Sequence, residues 1–225
     1  MRRRRQNSRG QAFIETALIL PLTVLLLLLM LWVGEAEIRE LTTTQVARDA
    51  ASMYSRGTDF SGAAAHPDDS TLNFILPKLA SSVGTLNSST NSPAGTGLMI
   101  FSTITLLGTS SCPAGQGTGT GKCPNYNQFV FLQQYSVGNT SLGRSSNFGT
   151  AADAQSTKQY LVDSSKYTTQ PGDVATFSMS NPTPLPDGTS AGYRQGQPIY
   201  IVEAFFSGLG LPGSSLGVTY AYAIF

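Results

Sequence analysis

Apolar residues fall along this chain in three regimes. From Ala17 to Val33 nearly every position is apolar, interrupted only by Pro21 and Thr23. With Ala12 to Ile14 in front, the run approaches the roughly 20 residues that cross a bilayer as a helix. Past the membrane edge the pattern thins to a helical stripe: Ile38, Leu41, Val46, Ala50 and Met53 recur with Arg39, Glu40, Arg48 and Asp49 between them. Gly57 follows as the expected C′ residue. Ala12 to Arg56 therefore reads as one helix of about 67 Å at 1.5 Å per residue, half membrane span and half a stalk that packs on the body.

Beyond Gly57 the apolar runs shorten. Leu72, Ile75, Leu76, Leu79 and Val83 keep helical spacing between Pro67 and Gly84, with Pro67 in the first turn and Asp69 or Ser70 as cap, while Pro77 kinks or shortens the element. Runs rich in β-branched and aromatic residues predict strands at LMIFSTITLL (98–107), QFVFLQQYSV (128–137), DVATFSM (173–179), PIYIVEAFF (198–206) and GVTYAYAIF (217–225). The last two are joined by turn-rich GLGLPGSSL and are expected to be antiparallel. Residues 138–172 have weak periodicity, with a short helix expected around Gln155 to Val162. The fold class is α+β: a long N-terminal transmembrane-plus-stalk helix packed on a mainly antiparallel sheet. Three regions follow, namely residues 1–10 as a basic leader, 11–57 as the helix and 58–225 as an exported α+β domain.

Charge sets the orientation. The chain of 225 residues has a formal charge of +1, yet Arg2, Arg3, Arg4, Arg5 and Arg9 are five of its 14 basic residues, and no acid precedes Glu15. Beyond residue 10, nine basic residues face 13 acidic ones, a net −4. The arginines before the span and Glu35, Glu37 and Glu40 after it place the N-terminus in the cytoplasm and the body outside. A body without a cationic face is not expected to bind nucleic acid. A conventional signal peptide also fits, since Gly34 and Ala36 offer small residues before a cut at Glu37, but its apolar region is normally shorter and needs no helix running on beyond it.

Cys112 and Cys123 flank the Gly-rich PAGQGTGTGK, and in an oxidising compartment they are expected to close that loop as a disulfide. Two unpaired thiols or half of a metal site are the other readings. Catalytic patterns are thin. His66 is the single histidine, its neighbours Asp68 and Asp69 fall short of a metal signature, and no G-x-S-x-G elbow accompanies it. AGQGTGTGKC departs from the phosphate-loop pattern, with Gln116 where glycine is needed and Cys123 in place of Ser or Thr. Trp32 reads as an interfacial anchor. No enzyme, metal or cofactor is expected.

One residue resists the anchor reading. Glu15 is a carboxylate just inside the apolar run, where an ionised group costs a few kcal/mol or more depending on depth. RGQAFIETALILP, with Gly10, Glu15, Ala17, Leu18 and Pro21, resembles the N-terminus of the TadE-like family, the minor pilin-like or pseudopilin proteins of the tight-adherence (Flp) pilus system. QVARDAASMYSRG is similar to the small-residue helix that follows the anchor there, and the C-terminal apolar runs are similar only in character. The resemblance implies that a prepilin peptidase cuts between Gly10 and Gln11. Glu15 then lies one helical turn past the new α-amino group and neutralises it, or the one on a neighbouring subunit, while Pro21 bends the helix near Ala17. It further implies, as partners, other pilins or pseudopilins and the inner-membrane assembly platform. The alternative reading is a membrane-anchored extracytoplasmic binding module unrelated to pili.

Overall fold

The computed structural model describes residues 7–60, 72–86, 95–117, 122–154, 160–177, 195–207 and 218–225, with the backbone alone described over 7–13 and 72–74. The chain divides into two compact units, Met1–Leu41 and Thr42–Phe225. Helix α1 spans Asn7–Ser55, beginning five residues before the expected start. It ends where glycine was expected to stop it. The amide of Gly57 bonds to the carbonyl of Tyr54 and that of Thr58 to Met53, the paired closure of a Schellman cap, and Gly57 takes the left-handed φ of 89° that this closure requires.

In the second unit four antiparallel strands, β1 (Gly97–Leu106), β2 (Phe129–Gly138), β3 (Pro198–Ser207) and β4 (Val218–Ile224), form one sheet in the order β2-β1-β3-β4. The β3–β4 pairing is the antiparallel one expected, while the joining segment GLGLPGSSL lies outside the described residues. On one face Met99, Phe101, Tyr135, Val137, Val202, Ala204, Phe206, Ala221 and Ala223 pack under α1 through Val46, Ala47, Ala50, Ala51 and Tyr54. Alanines at three of these helix positions let backbone and sheet approach closely. The buried stripe starts at Thr43, whereas Ile38 and Leu41, expected to share it, are exposed.

The opposite face carries Ile104, Phe131, Ile199 and Ile201, covered by Ala151, Val162 and Ala175 from the segment of weak periodicity. With both faces covered, every residue of β1 is buried. That burial explains why its sequence is continuously rich in apolar residues and carries no charge. The register slips between Thr103 and Ile104, a bulge that leaves Leu132 of β2 without an opposite partner.

Two expectations are corrected here. Residues 173–177 are not a strand: Pro171–Asp173 form a 3₁₀ turn, and Val174 makes a single bridge to Val130. Pro171 and Gly172 tighten the chain there, and Asp173 turns inward to accept a hydrogen bond from the Asp153 amide. The described end of the expected 155–162 helix is likewise not helical: Tyr160 takes a left-handed φ of 58° and Leu161 forms a single bridge to Gln133. Val162 N–H donates to the Leu132 carbonyl and Gln134 N–H to the Tyr160 carbonyl, so β2 captures the segment. A short α2 spans Leu72–Ala80 with Pro77 inside it, narrower than the expected 67–84, and its expected start and cap at Pro67, Asp69 and Ser70 lie outside the described residues.

Candidate functional site

The N-terminal unit is the first candidate. Among the described residues α1 is the one helix long and apolar enough to cross a membrane. From Ile14 to Val33 its large apolar side chains, Trp32 among them, are roughly half exposed or more. A helix apolar on all sides fits hydrocarbon, not water. Thr23 within it is satisfied locally: its hydroxyl donates to the carbonyls of Leu20 at 2.8 Å and Ile19 at 3.1 Å, two residues past Pro21, which lies inside the helix. At the far end Arg39 pairs with Glu35 at 2.8 Å, one turn apart.

The backbone of Gly10 and Gln11 is helical, and Glu15 is exposed four residues beyond Gln11 on the same helix. The Gly10–Gln11 peptide bond therefore lies inside a helix. A protease that needs an extended substrate has to unwind it, and glycine there makes unwinding easier by up to about 1 kcal/mol relative to alanine.

In the body, Cys112 and Cys123 are bonded, with Cα atoms 5.8 Å apart, as expected from the residues. The bridge packs with Leu107 and Val130, beside Tyr126, Tyr167 and Val174. Gln116 and Cys123 bridge across the loop, so its described ends form a closed turn. For a loop of this size, removing the bridge with Cys112→Ser and Cys123→Ser is expected to cost about 2–3 kcal/mol. Thermal unfolding of the intact chain in detergent reads this as a lowered midpoint, and an unchanged midpoint would show that the bridge does not constrain the body.

The structure also reveals buried polar groups that the sequence reading missed. Tyr54 donates to Gln133 Oε1 at 2.8 Å and lies 2.7 Å from the Thr103 hydroxyl, tying α1 to two strands, and burial pushes its phenol well above the ordinary value. Glu203, fully buried on β3, accepts from the Asn147 amide and the Tyr220 hydroxyl, both at 2.9 Å, which fastens the covering loop to the sheet. Its signal was the lone carboxylate within IYIVEAFF. Burial also pushes the Asp173 carboxyl above the usual range. His66, Asp68 and Asp69 lie outside the described residues, and among the described residues no group of three His, Cys, Asp or Glu gathers to hold a metal.

Fold and site together define an α+β body packed under α1 from Val46 to Tyr54, and an N-terminal apolar helix compatible with a single-pass membrane anchor. Residues 10–52 match the family model described as TadE-like protein, so over this segment the chain is similar to that family. The match associates it with the tight-adherence pilus system. No curated protein and no solved structure matches the chain.

Proposed function

We propose that this chain is a pilin-like subunit, or pseudopilin, of a tight-adherence pilus or its associated secretion machinery. It inserts with its N-terminus in the cytoplasm and is matured by a prepilin peptidase after Gly10. The observation that carries the reading is the TadE-like match, which begins at Gly10 and runs through the anchor into the helix that packs on the body. Glycine on the near side of the cut removes a side chain from the protease cleft. Glu15, at i+4 from the new terminus, meets the ammonium of Gln11 or that of a neighbouring subunit, which offsets the cost of a carboxylate in hydrocarbon. The body stays outside the cytoplasmic membrane, where its disulfide is stable, and other pilins with the inner-membrane assembly platform are its partners.

Replacing Glu15 by alanine tests the pairing. The substitution removes a charge from an apolar segment, so membrane insertion is expected to remain at wild-type levels. Co-purification with pilus components is expected to fall at least severalfold. If Glu15→Ala chains co-purify as well as wild type, Glu15 does not serve assembly.

A further inference from the structure

We infer that α1 pairs in parallel with a second copy of this chain along one face from Leu20 to Leu41, forming a symmetric dimer. The inference goes beyond the pilin-like reading and does not depend on leader processing. Filament growth needs a heterologous contact that leaves an end open, whereas this pair is isologous and closes on itself.

Leu20, Val24, Leu27, Leu31, Gly34, Ile38 and Leu41 follow one another at alternating spacings of four and three residues, the repeat of a left-handed coiled-coil seam. Between Leu20 and Val33 every face of the helix is apolar, so there the repeat singles out no face. Past Val33 it does. Glu35, Glu37, Arg39 and Glu40 take the other faces, and the large apolar residues that remain are Ile38 and Leu41, both in register with the leucines before them. They are 66% and 70% exposed. Leu41 stands about 12 Å along the helix beyond Val33, further than the hydrocarbon around a span of residues 14–33 reaches. Lipid tails therefore do not cover it. The next positions in register, Gln45 and Arg48, are polar, so the seam ends at Leu41.

Gly34 is a second, independent sign. Glycine in a helix interior weakens the helix. Yet a Cβ built on Gly34 meets nothing within 4 Å, so no contact among the described residues requires glycine there. On the seam it lets two backbones approach closely, as small residues do where helices meet in membranes.

The same positions specify the occupant. Val24, Leu31 and Ile38 fall at a, and Leu20, Leu27, Gly34 and Leu41 at d; β-branched residues at a with leucine at d favour two parallel strands. Two copies of one chain insert the same way, so the membrane imposes the parallel arrangement. In that register Glu35, at e, falls beside Met30 of the other copy and not beside an acid, and Arg39 bonds it at 2.8 Å within its own chain. A seam of this length, with its flanking residues, buries on the order of 1,000 Å² over both chains, the size at which a specific interface stands apart from a packing contact.

The test places single cysteines in the full chain, made in membranes that contain no other pilus protein, and oxidises them. The chain's own two cysteines are already bonded to each other. Leu41→Cys is expected to link into a covalent dimer about fivefold or more above Glu40→Cys and Ala36→Cys, whose positions face away from the seam. Adding Gly34→Leu to Leu41→Cys is expected to cut that linkage about fivefold, because the added side chain holds the backbones apart. Leu27→Cys, two repeats earlier at d, is expected to link as Leu41→Cys does and keeps the test valid should Gly34→Leu fail to insert. Equal linkage at positions 40 and 41, no linkage of Leu41→Cys, or linkage undiminished by Gly34→Leu would each overturn the inference. So would stronger linkage of Leu41→Cys to Ala36→Cys on a second chain than to itself, which would show a heterologous contact.

Discussion

Phe101→Ala is expected to lower the stability of the body by about 3–5 kcal/mol, the usual cost of truncating a fully buried phenylalanine. Phe101 lies on central strand β1 and is wholly buried. Its ring stacks on Tyr135 at 5.1 Å and 11°, meets Tyr54 edge-on at 5.4 Å and 76°, and touches Phe60 at 5.0 Å. Truncation leaves three rings around a void, and the alanines of α1 are too short to fill it. Because Tyr54 joins helix to sheet beside Phe101, the loss spreads to that interface. In a domain of this size such a cost lowers the unfolding midpoint by on the order of 10 °C. Phe225→Ala removes the same ring from a site 51% exposed and should shift it far less. Equal shifts for the two variants would contradict the packing described.

The other large effect is expected at the leader. Gly10→Val should leave the chain at full length, still carrying its first ten residues with their five arginines. A β-branched side chain before the scissile bond crowds the cleft that glycine leaves open. Uncut chains lack an α-amino group at Gln11, so Glu15 faces hydrocarbon without that partner. Assembly should then fail about as far as in Glu15→Ala, and combining the two substitutions should add little, since both remove one interaction. A full additive loss would mean that Glu15 acts independently of the new terminus.

Much of this protein was legible in its residues because the relevant signals are local. The apolar run, the glycine that ends α1, and the β-branched and aromatic runs of β1 to β4 each follow from neighbours in sequence. Cysteines on either side of a glycine-rich loop are equally local. What escaped depended on distant partners. Residues 173–177 have strand-forming composition, but a proline–glycine turn and the inward Asp173 left them one bridge to β2. Residues 160–162 looked helical, but hydrogen bonds to Leu132 and Gln134 of β2 hold them there instead. Ile38 and Leu41 are exposed, Leu41 standing about 140° round the helix from Val46, and the buried positions are Thr43, Val46, Ala47, Ala50, Ala51 and Tyr54. Glu203 needed the Asn147 amide and the Tyr220 hydroxyl, residues 56 and 17 positions away. At the N-terminus the continuous apolar run located the helix able to cross a membrane, whereas the role proposed for Glu15 rests on the resemblance over residues 10–52.

The central claim is maturation of a pilin-like chain between Gly10 and Gln11. N-terminal sequencing of the protein purified from membranes that contain a prepilin peptidase tests it most directly. The account predicts Gln11 as the first residue. A chain that begins at Met1, an uncut anchor, or at Glu37, a removed signal peptide, would contradict it.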